Sequence, residues 1–209
     1  MSEYLIPTGS SVEDVKENIR QGPVTEEHMN PHISRKDFDI LMDVSRKYKY
    51  PVNKLIQAYG IESSYGKHPD MNKGFYQGPF QFSSTAAKDF GLTDRHDLQE
   101  SAEVYITSIT KRDSSLRNMI SNETGNFTWL DSLDPILKDY LLHQQGPRGL
   151  AQLSLAREGY QDYYNKVRER IKPQLSKGQF KHLAHKTKTP EEAIDYYIDI
   201  QKEKLNIKD

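Results

Sequence analysis

The chain has 209 residues, of which 35% are hydrophobic and 28% are charged, with a formal net charge of −1. This length and composition suit one domain with a real core and a small appendage. The absence of cysteine excludes disulfides, thiol catalysis and thiolate metal sites. No apolar run approaches 18 residues and the first 30 residues lack a basic start followed by an apolar core, so we expect neither a transmembrane helix nor a secretory signal.

The N-terminal part of the chain is predicted to be an extension over residues 1–33. Prolines and glycines interrupt it, although residues 12–20 fit one short helix. The first helix of the domain is predicted to begin after Ser34, which forms a capping-box pattern with Asp37, and to end before Pro51. A second helix is predicted from Val52 to Glu62.

Glu62 lies at the edge of the apolar face of this second helix. Val52, Leu55 and Tyr59 mark that face, and at about 100° per residue Glu62 falls beside Leu55. Burial raises the pKa of a carboxyl group, and a raised pKa keeps the proton on a general acid near neutral pH. The alternative is an exposed Glu in the last helical turn, which is the more common place for this residue type.

The segment from Lys67 to Gln81 is rich in glycine, proline and aromatic residues and is predicted to be a loop with at most a small hairpin within residues 72–82. Aromatic rings such as those of Tyr76 and Phe80 pack against sugars, and amide side chains such as that of Gln81 hydrogen-bond to them. The composition therefore suits a saccharide, and an ordinary aromatic-anchored connection is the alternative.

The remaining predicted elements are helical. Glycine and proline positions, N-capping residues and apolar spacing place their ends. They are a short helix capped by Ser84 and closed by Gly91, a long helix starting at Asp97 and Glu100, a helix from Asp134 to Gly146, a helical region from Pro147 to Ile171, and a last helix starting at Thr189. Trp129 is predicted to be a core or lid anchor. The predicted fold class is all-α with at most a small β-hairpin.

Three segments of the chain resemble motifs of the lytic transglycosylase superfamily, which includes goose-type lysozymes. They are Glu62-Ser63-Ser64, the run Gly-Pro-Phe-Gln-Phe over residues 78–82, and the run Tyr-Leu-Leu-His-Gln-Gln-Gly-Pro over residues 140–147. Their order and spacing fit, the resemblance covers residues 34–160, and the third motif looks most like lytic enzymes of bacteriophages. The resemblance implies a lysozyme-like catalytic domain, here over residues 34–171, followed by a basic segment and C-terminal helix over 172–209.

The resemblance also implies roles for individual residues. Glu62 matches the catalytic acid and base, Ser63 the serine that follows it, and Gln81 the glutamine that lines the substrate cleft. His143 and Gln144 stand where the family has Tyr and Asn, and Tyr140 lies on the same helical face and could take over the tyrosine's role. The substrate would be peptidoglycan glycan strands, cleaved between N-acetylmuramate and N-acetylglucosamine with a 1,6-anhydro product.

A second carboxylate would favour hydrolysis instead, because glycoside hydrolases usually flank the scissile bond with two acids. Asp70 is the only acid between Glu62 and Gln81, and its His-Pro-Asp context is typical of a turn. We therefore expect the transglycosylase route. The alternatives are a hydrolytic muramidase acting on the same bond and a non-catalytic saccharide-binding virion protein.

The charge is distributed unevenly along the chain. Residues 164–188 hold eight basic residues, from Lys166 to Lys188, against the single acid Glu169. This stretch is either a solvated surface or a contact to an anionic surface, such as wall polymer, phospholipid or a virion protein. Specific nucleic-acid binding is not expected, and the histidines lack ligand spacing, so we expect neither a metal nor a cofactor. An enzyme of this kind would reach the wall from a virus particle or through a membrane opened by another protein.

Overall fold

The computed structural model describes residues 32–205 and residue 207. The described part of the chain is mostly helical, with nine α-helices and one two-stranded antiparallel sheet. The all-α prediction with a small hairpin is confirmed at that level. The predicted helix over residues 12–20 lies outside the described residues.

Two compact units divide the chain between Lys111 and Arg112. The division falls inside the region predicted to be the catalytic domain, and it lies within the long helix α4. The first unit contains α1 (Arg35–Tyr48), α2 (Val52–Ser63), β1 (Tyr76–Gln77), β2 (Phe82–Ser83), α3 (Ser84–Phe90) and the start of α4 (Leu98–Glu123). The second contains the rest of α4, α5 (Thr128–Ser132), α6 (Pro135–Arg157), α7 (Gln161–Ile171), a 3₁₀ turn (Lys172–Gln174), α8 (Lys177–Lys186) and α9 (Pro190–Leu205).

In the first unit, α1 packs against α2 and the small sheet leads into α3. The sheet pairs Tyr76 with Ser83 and Gln77 with Phe82. The core of the first unit is apolar and aromatic because α1 and α2 both turn their apolar faces inward. This buries surface that would otherwise order water. The side chains in this core include Phe38, Leu41, Leu55, Tyr59, Phe80, Phe82 and Tyr105.

In the second unit, α6 packs against both α7 and α9. The buried side chains come from all three helices and include Leu141, Leu150, Val167, Ile171, Ile194 and Tyr197. Trp129 is buried there too, which confirms the core position predicted for it. None of the helices in the described ranges is long and apolar enough to cross a membrane.

Most predicted helix ends are where the sequence put them. Ser34 accepts a hydrogen bond from the Asp37 amide at 3.1 Å, Asp97 accepts one from the Glu100 amide at 2.7 Å, and Thr189 accepts one from the Glu192 amide at 3.1 Å. The cap of α3 is Ser83 and not Ser84, because the Ser83 hydroxyl is the one that accepts from Ala86.

The later helices differ in two details from the helical region and the basic segment predicted there. The region from Pro147 to Ile171 is not continuous, because Gly159 adopts a φ of 94° and separates α6 from α7. The basic segment also holds a helix that was not predicted, α8. Its start is a capping box in which Ser176 and Gln179 each bond the other's backbone amide, at 3.2 and 2.9 Å.

Candidate functional site

Glu62 is the penultimate residue of α2, and the chain turns sharply directly after it. Ser64, Tyr65 and Gly66 all have positive φ, at 51°, 57° and 73°. Two consecutive non-glycine residues in this conformation are uncommon and carry a cost in free energy that the surrounding contacts must offset. This change of chain direction ends the helix and leaves Glu62 in the last helical turn of α2.

Glu62 as a residue is half-buried, and its carboxyl group is surrounded by enough protein to lose most of its hydration. This burial raises the pKa of Glu62 to about 7. The negative end of the helix dipole also lies at this terminus. It disfavours the ionised carboxylate and so acts on the pKa in the same direction as burial. The raised pKa expected from the helix phase is confirmed.

Aromatic side chains hold this helix end in place. A Cβ on Gly60 would lie 2.5 Å from the ring of Tyr65, so only glycine lets that ring lie against the helix. The Tyr59 hydroxyl donates to Asp37 at 3.2 Å and ties α2 to α1. Burial and the Asp37 carboxylate raise the pKa of Tyr59, which keeps this phenol neutral. Gly60, Tyr65 and Asp37 were not predicted to belong to the site.

Ser63 supports the turn from inside the protein. Its side chain is fully buried, and its hydroxyl donates to the Tyr59 carbonyl at 2.9 Å and accepts from the Gly66 amide at 3.1 Å. Both hydrogen bonds stay within the helix end. Ser63 was expected either to hydrogen-bond the substrate or to orient Glu62, and the geometry favours orienting the segment that carries Glu62.

A run of hydrogen bonds connects the Glu62 helix end to the hairpin. The His68 amide donates to the Ser63 carbonyl at 3.0 Å, and the Met71 amide donates to the His68 carbonyl at 3.1 Å. The Met71 carbonyl then accepts from the Gly78 amide at 2.9 Å and from the Gln81 side chain at 3.1 Å. The loop between helix and hairpin is thus tied at successive points.

Gln81 closes this run of hydrogen bonds. Its Nε2 donates to the carbonyls of Met71 and Gly78, at 3.1 and 2.8 Å, and its backbone has a φ of 48°. The amide nitrogen of Gln81 is therefore committed to the loop, and the carbonyl end of the half-buried side chain is the part that remains for a ligand.

The two aromatic residues predicted to contact a sugar have opposite positions. Phe80 is 0% exposed and stacks on Tyr105 with ring centroids 4.9 Å apart, so it is a core residue and the predicted substrate contact is corrected. Tyr76 is 58% exposed, and so is its neighbour Phe75 at 59%. Alternation along a strand does not account for this difference, because Phe80 lies in the turn between the two strands.

Asp70, the candidate second carboxylate, is an exposed turn residue. It forms an ion pair with Lys73 at 3.1 Å, and its amide donates to the His68 ring at 3.2 Å. Both contacts lie within residues 68–73, so the local turn accounts for Asp70 without a catalytic role.

The third motif lies in the second unit, where it interrupts α6. Gly146 has φ 67° and ψ 171°, a backbone conformation that essentially only glycine adopts, and the next residue is Pro147. Because proline has no N–H, the His143 carbonyl loses its helical partner. Arg112 donates to that carbonyl at 3.1 Å and to the Leu142 carbonyl at 3.4 Å, so it satisfies both groups. Arg112 was not predicted.

Beside this interruption, neutral polar side chains form a hydrogen-bonded cluster. Gln145 donates to Gln174 and to the Tyr197 hydroxyl, each at 2.9 Å, and Tyr197 donates to Gln174 at 2.6 Å. Gln144, which is exposed, donates to the Tyr140 hydroxyl at 3.1 Å. Burial raises the pKa of Tyr197, so this phenol stays protonated.

Tyr140 and Gln144 lie on one helical face, as their spacing predicted, and they hydrogen-bond to each other. His143 is half-buried in the same helix. Sequence reasoning missed Gln145, Gln174 and Tyr197, which come together from three separate elements. The only local signal was the run of two glutamines before Gly146.

A cavity of about 500 Å³ lies elsewhere in the second unit. Its lining includes Trp129, Asp134, Arg157, Asp195 and Lys202, and none of the predicted site residues. Arg157 forms an ion pair with Asp195 at 2.7 Å.

Within residues 32–205 and 207, no three His, Asp or Glu side chains converge into a group that could hold a metal ion. Comparison with known proteins identifies no relative: no family model, no curated protein and no solved structure matches the chain.

Proposed function

We propose that the protein is a peptidoglycan lytic transglycosylase in which Glu62 is the only acid and base. The observation that carries this proposal is the burial of the Glu62 carboxyl group, which raises its pKa to about 7 although the residue as a whole is only half-buried. A carboxyl group with this pKa is protonated in a large fraction of molecules at neutral pH and ionises easily once it has donated its proton. The lysozyme-like arrangement of the helices is part of the same proposal.

In the proposed reaction, protonated Glu62 donates its proton to the oxygen that links N-acetylmuramate to N-acetylglucosamine. The bond from that oxygen to C1 of the muramyl residue breaks, and the acetamido group of the substrate stabilises the cationic C1. Ionised Glu62 then accepts the proton of the muramyl C6 hydroxyl, whose oxygen attacks C1. The products are a 1,6-anhydromuramyl end and a free N-acetylglucosamine end, and Glu62 regains its proton.

The surroundings of Asp70 favour this route over a two-carboxylate hydrolase. Asp70 has a side chain that is 64% exposed and paired with Lys73, whereas a second catalytic carboxylate must face the sugar. The hydrogen bonds of Ser63 and Gln81 support a positioning role for both residues. The contacts of Tyr140, His143 and Gln144 with substrate stay part of the prediction.

The decisive experiment identifies the products released from purified peptidoglycan by mass spectrometry. We expect muropeptides with anhydro ends, formed by the native protein and absent with the Glu62→Gln variant, whose side chain has nearly the same shape. Reducing ends would show that the protein is a muramidase.

Asp70→Asn is the matched control in the same assay. Because Asp70 is a surface turn residue, this variant should keep most of the native activity. A loss as complete as that of Glu62→Gln would favour the two-carboxylate mechanism. Binding to peptidoglycan without any product would favour the non-catalytic alternative.

The basic stretch suggests how the enzyme holds the wall. Among the described residues, none of its eight Lys and Arg side chains pairs with a carboxylate, whereas Arg117 and Arg157 elsewhere in the same unit are both paired. An exposed surface of this kind attracts polyanions, and the attraction weakens as salt screens it. Binding to walls that carry anionic polymer should therefore fall between 50 mM and 500 mM salt, and less steeply after the polymer is removed.

A further inference from the structure

The hairpin of the first unit presents two aromatic rings to solvent. Phe75 and Tyr76 are more than half exposed, with ring centroids 5.0 Å apart and planes at 88°. Other aromatic side chains of this unit, including Phe38, Phe80 and Phe82, are fully buried. Two adjacent exposed rings form a local apolar surface that folding alone does not explain.

The backbone that carries the two rings is held firmly. Arg95 donates through Nη1 to the carbonyls of Phe75 and Phe82, at 3.3 and 3.2 Å, and through Nη2 to the Gln77 side chain at 2.7 Å. The Gln77 amide donates in turn to the Gly74 carbonyl at 3.0 Å. A surface that is rigid before it binds loses less entropy on binding.

A second contact fixes the hairpin against the segment before α4. Gly78 has a φ of 81°, and a Cβ at this position would overlap the Arg95 carbonyl oxygen. The His96 ring and the Asn72 side chain are 2.9 Å apart in a further hydrogen bond. The same hairpin is linked through Met71 and His68 to Ser63, the residue next to Glu62. The hairpin that carries the exposed rings is therefore tied by hydrogen bonds to the helix end that carries Glu62.

We infer that Phe75 and Tyr76 form a stacking surface for a pyranose ring of an N-acetylated glycan strand, and this inference rests on the proposed function. A pyranose has an apolar C–H face that packs on an aromatic ring and a hydroxyl edge that takes hydrogen bonds. The Tyr76 hydroxyl supplies a polar group on one of the two rings. The perpendicular rings provide one face for the sugar ring and one edge for its acetamido methyl group.

Other occupants fit the surface less well. Insertion into an anionic membrane is helped by free cations around the apolar residues, but the nearby Lys73 is paired with Asp70 and Lys67 donates to the His32 carbonyl at 2.7 Å. A second protein copy needs about 800 Å² on each partner, which is far more than two rings supply. A single sugar ring matches the size of the patch.

Binding can be tested without turnover in the Glu62→Gln background. The probe is the tetrasaccharide of N-acetylglucosamine, measured by calorimetry and by saturation-transfer NMR. Adding Phe75→Ala and Tyr76→Ala should weaken affinity at least tenfold and remove saturation transfer to the sugar C–H protons. The exposed Tyr160 of the second unit provides the matched control, and Tyr160→Ala should change affinity by less than twofold.

Two further variants separate stacking from folding. Tyr76→Phe keeps the ring and should bind within about threefold of the parent. Arg95→Met keeps both rings but removes their brace, and it should weaken binding by an intermediate factor. Unchanged affinity in the double alanine variant, with an intact circular dichroism spectrum, would overturn the inference. The double alanine variant is also tested on vesicles of three parts phosphatidylcholine to one part phosphatidylglycerol. If this variant loses vesicle binding that its parent has, but keeps saccharide binding, the inference is overturned in favour of a membrane contact.

The activity of the native background distinguishes this inference from the proposed function. With soluble glycan strands, the double alanine variant should raise KM at least tenfold and change kcat less than threefold. Cleavage that needs Glu62 but has an unchanged KM in this variant would reject the stacking surface alone. Saccharide binding through the two rings in a protein that releases no product would reject the proposed function alone.

Discussion

The end of α2 and the interruption of α6 are both places where a helix stops at polar residues, but their chemistry differs. The first holds an ionisable group, Glu62, whose pKa is raised to about 7 by burial. The second holds amides and phenols, among them Gln145 and Tyr197, that hydrogen-bond to one another. Burial at the first place changes which protonation state is populated, whereas burial at the second only requires that each group finds a partner. The end of α2 therefore holds a group that can change protonation near neutral pH, whereas the cluster around Gln145 holds only neutral groups.

The largest expected effect is on stability and tests the raised pKa of Glu62 directly. Its pKa is about 7 in the folded protein against an ordinary value of 4.5 for a glutamate in water. The folded state therefore binds more protons between these values, and stability falls as the pH rises through them. Glu62→Gln removes this loss and should make the protein about 3 kcal/mol more stable than the native chain at pH 9, with almost no difference at pH 4.

Urea unfolding at both pH values measures this difference. An advantage of the variant that is the same at pH 4 and pH 9 would mean that ionisation of Glu62 is not its cause.

The next effect concerns the rate of glycan cleavage. If protonated Glu62 starts the reaction, kcat/KM should fall about tenfold for each pH unit above about 7, and should be about 100-fold lower at pH 9 than at its maximum. Release of muropeptides from purified walls gives the profile. A flat profile from pH 6 to pH 9 would contradict the role of Glu62 as general acid.

A smaller effect is expected at the interruption of α6. Gln145→Leu removes the donor to Gln174 and Tyr197 in a buried position and should cost about 2 kcal/mol in unfolding free energy. Because the cluster is neutral, this cost should be the same at pH 5 and pH 8. The matched control is Gln161→Ala, at an exposed glutamine of α7 outside the cluster, which should cost less than about 0.5 kcal/mol. A cost at Gln145 that changes with pH would mean that the cluster contains an ionised group.

The smallest effect is expected at Glu103, whose pKa is lowered in the folded protein, whereas that of Glu62 is raised. A hydrogen bond from Lys47 lowers the pKa of Glu103, and the Tyr48 hydroxyl contributes in the same direction. This stabilisation is present above the unfolded pKa and is lost as the pH falls through the lower folded pKa. Glu103→Gln should therefore cost less than about 1 kcal/mol at pH 7 and nothing at pH 3. Urea unfolding of this variant and of Glu62→Gln should show opposite pH trends.

The helix ends and Glu62 were predictable because they depend on neighbours in the sequence. Serine, aspartate and threonine caps act over three residues, and the apolar spacing of α2 places Glu62 on one side within a few turns. The single-residue error at Ser83 has the same origin, since two adjacent serines offer the same capping hydroxyl. The break at Gly159 and the capping box at Ser176 had local signals too, a glycine and a Ser-x-x-Gln pattern.

Contacts between distant residues were not predictable in this way. Arg112 satisfies carbonyls 30 and 31 residues away, and Gln145 meets Tyr197 across 52 residues. Phe80 and Tyr76 are both aromatic residues of one short loop, and nothing in their local sequence says that one is buried and the other exposed.

The sequence by itself determined the helical character of the chain, most helix boundaries and the placing of Glu62 on the apolar side of α2, because these follow from backbone propensity and period. Only the tertiary structure decided how strongly Glu62 is desolvated and that Ser63 and Phe80 are internal. It also decided that Phe75 and Tyr76 are braced at the surface. Desolvation and exposure depend on how many atoms from other elements surround a side chain, and that number exists only once the elements have packed.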